Sequence, residues 1–249
     1  MSFNITNPTV NKSVRQTLYD ISSNTNKQTV ILIEPTPVPS TYVVPGTSND
    51  VYECNAVLIS GGAGGNGGGA AAVNSLGGVS GYCRYLDPFI INGGIEIAYS
   101  VGDCGAGGTS MGLGGPGLYT QILTINGNNM PESDFKVDGG VGQGNTGLGQ
   151  NLGGWFGPTP NDSNGQGINS GKFGVNAGGD AGCGGGGGFF INSNLSVKAG
   201  DGGTSGGGDT GGEGGKGYGA GGGGGGYGGG GGSGGDGAQG AIMLTFTKL

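Results

Sequence analysis

The stretch Val51-Tyr52-Glu53-Cys54-Asn55-Ala56-Val57-Leu58-Ile59 runs through Ser60 directly into Gly61-Gly62-Ala63-Gly64-Gly65-Asn66-Gly67-Gly68-Gly69. In its first nine residues Tyr52, Cys54, Ala56 and Leu58 fall on one face, while Val51, Glu53, Asn55, Val57 and Ile59 fall on the other. Alternation with a period of two is the pattern of a β-strand entering a sheet. Behind it the glycines recur in threes, and the same beat returns at Gly211-Gly212-Glu213-Gly214-Gly215-Lys216. Three residues per turn is the period of the polyproline II helix, whose backbone amides have no partner inside the helix. Glycine lets such segments approach closely enough to bond backbone to backbone, so packed polyglycine II is the ordered form of this tract. Collagen shares the period, but the ten prolines end at Pro160 and leave the richest glycine region without any. Disorder is what composition alone assigns to residues 200–240, and hydrogen bonding to neighbouring segments is what would order them.

Working outward, 70 of the 249 residues are glycine, 33% are apolar and 10% are charged. Ordinary globular chains carry roughly 45–50% apolar and about 25% charged residues, so a helical bundle or a standard α/β enzyme is excluded. Only Gly46 occurs in residues 1–60, and the other 69 glycines follow. That step divides the chain. Residues 1–40 read as an attachment arm with a short helix near Val14–Ile21, an apolar run Val30-Ile31-Leu32-Ile33, and an extended spacer Pro35-Thr36-Pro37-Val38-Pro39. Val30, Ile31, Leu32 and Ile33 are the residues expected to grip another chain, because the arm holds too little else to build a core. Residues 41–249 read as one glycine-rich domain.

Further strands are expected at Gly81–Leu86, Ile95–Val101, Tyr119–Ile125 and Ala241–Phe246, with hairpin turns at Asn92-Gly93-Gly94 and Asn126-Gly127. The first and last strands, Val51–Ile59 and Ala241–Phe246, are expected in one sheet or in facing sheets, enclosing the glycine tracts between ordered ends. No helix of any length is expected after residue 40. The fold class is therefore all-β, a small sandwich or sheet combined with packed polyglycine II segments and almost no α-helix.

The chemistry is sparse. Sixteen acidic residues against nine basic ones give a net charge of -7, and the basic residues are scattered singly, so no stripe tracks a nucleic acid. No apolar run is long enough to span a bilayer, and no secretion signal opens the chain. Histidine is absent, which removes Ser-His-Asp and Cys-His catalysis and histidine-ligated zinc. Matches to GxGxxG carry no weight in so glycine-rich a chain, and Gly214-Gly215-Lys216-Gly217 lacks the Ser/Thr and the helix of a phosphate loop. Gly231–Ala238 matches most of a calcium nonapeptide, but in a single copy. No cofactor and no metal are expected. Cys54, Cys83, Cys104 and Cys183 lie 29, 21 and 79 positions apart, which fits no metal pattern, and buried free thiols are expected. Asn4, Asn11, Asn161 and Asn194 begin glycosylation sequons and read as surface loops. Trp155-Phe156 beside Gly157-Pro158, together with Phe173, are the candidate receptor contacts, since aromatics on a rigid loop stack on sugars or anchor partners. The alternative is that the aromatic rings cover glycine layers. Paired carboxylates of a glycan hydrolase are the third option, which sequence alone does not assemble.

The order of these signals resembles the glycine-rich domain of phage tail-fibre and giant-virus structural proteins. The likeness begins with Thr41-Tyr42-Val43-Val44-Pro45-Gly46, the strand to Ile59 and Gly61-Gly62-Ala63-Gly64-Gly65. It continues through Gly81-Tyr82-Cys83-Arg84, the turn at Asn92-Gly93-Gly94 and Ile97–Gly108, and closes with Gly237–Phe246. It is also similar to the tip adhesins of T-even-type phages, in which polyglycine II helices carry receptor-binding loops. Ile59-Ser60 stands where the family has Trp before its first glycine tract. The resemblance implies a non-enzymatic structural protein of the virion surface or fibre, synthesised in the host cytoplasm and attached through its N-terminal arm. Its partners would be other virion proteins or copies of itself, without nucleic acid or membrane insertion. A receptor-binding adhesin for a host glycan or protein is the second function it implies.

Overall fold

A computed structural model describes residues 16–19, 27–33, 38–68, 77–109, 112–140, 155–156, 189–191, 197–199, 214, 217–225 and 232–249. In chain order the elements are β1 (Gln16–Tyr19), β2 (Lys27–Leu32), β3 (Ser40–Val43), β4 (Val51–Ile59), β5 (Tyr82–Tyr85), β6 (Phe89–Asn92) and β7 (Glu96–Ser100). Then come β8 (Thr120–Ile125), β9 (Asn128–Asn129), the single-turn helix α1 (Glu132–Phe135), β10 (Lys136–Val137), β11 (Trp155–Phe156), β12 (Phe189–Ile191), β13 (Val197–Ala199) and β14 (Ala241–Lys248).

The described residues are all-β with almost no helix. A seven-stranded sheet runs β1-β2-β14-β4-β5-β11, with β6 also on β4, and a five-stranded sheet runs β10-β8-β7-β3, with β9 on β8. Pairing is antiparallel except between β5 and β11, which are parallel. As the sequence suggests, β4 and β14 are direct neighbours, in register from Ala241 opposite Ile59 to Lys248 opposite Tyr52. The two faces of β4 separate as the alternation requires. Cys54, Ala56 and Leu58 join Val30, Leu32, Ile242, Leu244 and Phe246 in a core with Tyr42, Ile97, Tyr99 and Ile122 of the smaller sheet. Tyr42 stacks on Phe246 at 5.9 Å between ring centroids, and Tyr52 meets the same ring edge-on at 6.1 Å. Val57, Ile59, Ile31, Cys83 and Met243 form a second buried cluster on the opposite face of the larger sheet.

Three expectations are corrected. The segment expected to be helical near Val14–Ile21 contains a strand, because Gln16–Tyr19 pairs along β2 from Gln16 opposite Leu32 to Tyr19 opposite Thr29. Val30, Ile31 and Leu32 are not a free gripping surface. They are at most 4% exposed inside the sandwich, in register with Leu244, Met243 and Ile242 of β14, and Ile33 is half-buried against the second cluster. The run is continuously apolar because this sheet is buried on both faces, so residues 27–33 belong to the same folded unit as the glycine-rich domain. The third correction concerns Asn92-Gly93-Gly94, which makes no hairpin. It carries the chain from β6 on the larger sheet to β7 on the smaller one, with Gly94 at φ +75° and its amide bonded to the Val44 carbonyl. Asn126-Gly127 does close a hairpin between β8 and β9, with φ of 53° and 73° as a type I′ turn requires.

Two buried hydroxyls hold the sandwich to the glycine tracts. Thr120 Oγ1 donates to the Ile59 carbonyl at 2.8 Å and accepts the Gly102 amide at 2.9 Å. Ser60 Oγ accepts the Tyr82 amide at 2.7 Å and donates to the Asp138 carbonyl at 2.5 Å. Thr120→Val keeps the shape but strands the buried Gly102 amide. It is expected to destabilise by about 2–3 kcal/mol, measured by denaturant unfolding, and an unchanged midpoint would refute the pinning role.

Candidate functional site

Residues 61–68 leave β4 and become the centre of an array built from backbone hydrogen bonds of 2.7–3.0 Å. The amides of Gly61, Gly64 and Gly67 donate to the carbonyls of Leu118, Gly115 and Gly112. Those of Gly62, Gly65 and Gly68 donate to Ala238, Gly235 and Gly232, and that of Ala63 donates to Val79. The carbonyls of the centre accept from three further segments: Gly62 and Gly65 from Gly105 and Gly108, Ala63 and Asn66 from Gly222 and Gly225, and Gly61 from Gly140. Every third residue serves the same neighbour, and each partner also steps by three. The centre thus donates to antiparallel neighbours and accepts from segments 102–109 and 217–225, which run parallel to it.

Five of the six contacts between successive neighbours are backbone hydrogen bonds, and at the sixth a Cβ on Gly140 would lie 2.3 Å from the Val79 carbonyl oxygen. Segment 112–118 bonds to 102–109 through Gly115 to Ala106 and Leu118 to Asp103, and to Gly140 through Gly117. Gly78 and Gly81 donate to Gly222 and Gly219, Gly235 and Ala238 to Gly223 and Ala220, and Gly234, Gly237 and Gly240 to Gly108, Gly105 and Gly102. Glycine is required because neighbouring backbones fill the space of a side chain. A Cβ on Gly62, Gly64 or Gly65 would lie 2.1 Å from the carbonyl oxygen of Ala220, Ala106 or Gly223.

Apart from the buried Ala63, Val79 and Ala220, side chains point outward or replace a backbone partner. Buried Asn66 offers its Oδ1 to the Gly114 amide at 2.9 Å. On the outside, Asp103, Ala106 and Thr109 line one tract, Leu113, Pro116 and Tyr119 the next, and Ser233 and Asp236 another, each exposed and three residues apart. Leu113 is 63% exposed and Tyr119 46%. The ammonium of Lys136 lies 4.6 Å from the Tyr119 ring centroid and pairs with Glu132 at 2.9 Å. Arg84 binds the Ser133 carbonyl and pairs with Asp134 at 3.5 Å. Farthest along residues 61–68 from β4, Gly67 bonds to Gly112 and Gly68 to Gly232. Residues 69–76, 110–111 and 226–231 lie outside the described residues.

Two of the three expected receptor contacts lie among the described residues. Trp155 and Phe156 form β11 at the edge of the larger sheet, opposite Tyr82 and Cys83 of β5, while Phe173 lies outside the described residues. The outward rows were missed as a surface, although the spacing of Leu113, Pro116 and Tyr119 by threes among glycines is their signal. Residues 211–216, where the three-residue beat returns, are outside the described residues except Gly214.

Cys54, Cys83 and Cys104 are free thiols, and Cys183 lies outside the described residues. Burial pushes the Cys54 thiol up to about 12 and raises Cys83 further. Cys104 is half-buried and raised first by desolvation, then by Asp103 and Asp236. In a Cys183→Ser background, iodoacetamide at about pH 8 is expected to alkylate Cys104 first and to reach Cys54 and Cys83 only on unfolding. Native labelling of either buried thiol at the rate of Cys104 would contradict the packing described. Compared with known protein families and with curated proteins, the chain matches none.

Proposed function

We propose that this chain is a non-enzymatic virion structural protein, a component of the particle surface or fibre, in which the β-sandwich carries the glycine tracts as a stiff projection. The observation that carries the proposal is the set of six segments packed around residues 61–68, all bonded backbone to backbone to that centre and four of them in steps of three. We take these tracts to be polyglycine II in character, because the three-residue step and close backbone approach match it. Such an array holds shape without side-chain chemistry, and its polar residues Ser60, Asn66 and Thr120 are committed to backbone partners. With β1 and β2 taken into the sandwich, attachment to the particle falls to residues 1–15.

The reading is tested on purified particles from the source culture. Peptides of this chain should co-purify with the particles, and an antibody to the folded protein should decorate their surface. Absence from particles at the detection level of their other components would refute it.

A second reading, a receptor-binding adhesin, is favoured by one feature. Leu113 and Tyr119 stand 63% and 46% exposed on the outward row of a tract held in place by backbone hydrogen bonds, apolar surface available to a receptor. Binding of the isolated protein to host cells or glycans would support it, and loss of that binding in folded Trp155→Ala would place the contact at the sheet edge instead.

A further inference from the structure

The exposed side of the array contains amides that no backbone carbonyl reaches. The Gly107 amide donates to Oδ1 of Asp236, on the neighbouring tract, at 2.7 Å, and the Cys104 amide donates to Oδ1 of Asp103 at 2.8 Å. Both bonds lie at the surface. In the interior the equivalent vacancy beside Gly114 is filled by buried Asn66.

A row of unpaired amides on a sheet edge is a template for another chain. A glycine tract poses the same hazard, because only single exposed side chains three residues apart, Asp103, Ala106 and Thr109, project from this one. Within this fold a Cβ on Gly107 would stand 2.0 Å from the Gly234 oxygen, so tracts join with their backbones in contact. A second copy of this chain offers tracts of the same three-residue step.

We propose that Asp103 and Asp236 are edge guards, whose carboxylates cap the Cys104 and Gly107 amides and so prevent copies of this chain from adding tract to tract along this side. The neighbouring tract is protected by a different means. There the outward row is Leu113, Pro116 and Tyr119, and Pro116 has no amide hydrogen to offer. The guards act by hydrogen bonding, which distinguishes them from a mere concentration of negative charge.

The experiment compares two double variants of the full chain by sedimentation velocity. D103A/D236A opens both amides and removes both charges, whereas D103N/D236N removes the charges but keeps an oxygen acceptor at each position. The alanine pair is expected to self-associate at least about tenfold more tightly than the unsubstituted chain, while the asparagine pair does not. Equal association of both pairs would assign the effect to charge and overturn capping, and no change in either would overturn it too. Amide hydrogen exchange of the unsubstituted chain tests the idea without a variant. Ala106 in the same tract is an exposed residue whose amide donates to no group among the described residues. After correction for neighbouring side chains, Gly107 should exchange at least about tenfold more slowly than Ala106. Equal rates would overturn the proposal.

Discussion

Leu244→Asp is expected to remove most of the folding stability. Leu244 is fully buried on β14, the strand between β2 and β4, with Val30 opposite on one side and Ala56 on the other. A carboxylate there would sit among Val30, Leu58, Ile242 and Phe246, members of the same apolar cluster. The group avoids part of the cost by binding a proton, so its pKa rises in the folded state. The loss is expected to be at least about 4 kcal/mol near neutral pH, against a total of roughly 5–15 kcal/mol for a typical domain. The sign of the pH dependence follows. The folded variant binds this proton more tightly than the unfolded chain, so its deficit shrinks as pH falls below the raised pKa and grows as pH rises through it. Leu244→Ala supplies the control, with about 2–5 kcal/mol lost to the cavity and no such pH dependence. Denaturant titrations of both variants at acid and neutral pH decide it. A Leu244→Asp midpoint like that of the unsubstituted chain would place the core elsewhere.

The neighbouring strand β4 shows what was legible in the sequence. Alternation along β4 assigned Cys54, Ala56 and Leu58 to one buried cluster and Val57 and Ile59 to the other, because a period of two maps directly onto the faces of a sheet. Val30–Ile33 gave no such signal. Val30 and Leu32 enter one cluster and Ile31 the other, so a strand buried on both faces looks like an undifferentiated apolar run. β1 was hidden because its pairing with β2, not its own spacing of apolar residues, decides its conformation. β6 is four residues long and follows Asp87-Pro88, which reads as a turn. In the tracts the period of three was visible, but the outward rows depend on which segments become neighbours. Those pairings join residues as distant as Gly62 and Ala238, which no local pattern encodes.

Gly65→Ala is expected to be among the most damaging single-methyl additions in this chain. Gly65 lies at the centre of the array, where its amide donates to Gly235 and its carbonyl accepts from Gly108. Its Cβ would stand 2.1 Å from the oxygen and 2.5 Å from the carbon of the Gly223 carbonyl. These are backbone atoms, so no side-chain rotation relieves the overlap. Segment 217–225 would have to move away, although Gly222 and Gly225 bond to Ala63 and Asn66 and Gly223 accepts from Gly235. Adding a methyl to a filled interior costs about 1–3 kcal/mol, and each buried hydrogen bond lost adds about 1 kcal/mol, so a loss of at least about 3 kcal/mol is expected. The ordinary effect of replacing glycine by alanine is the reverse, a gain of roughly 0.4–1 kcal/mol from restricting the unfolded chain, so the sign of the result is itself diagnostic. Ala106→Ser on the outward row adds an atom on the exposed side of a neighbouring tract and should change stability by less than about 0.5 kcal/mol. Calorimetric unfolding of the two variants separates the cases. If Gly65→Ala melted with or above the unsubstituted chain, the ring of tracts around residues 61–68 could not be packed backbone to backbone, and the stiffness on which the structural role depends would have no source.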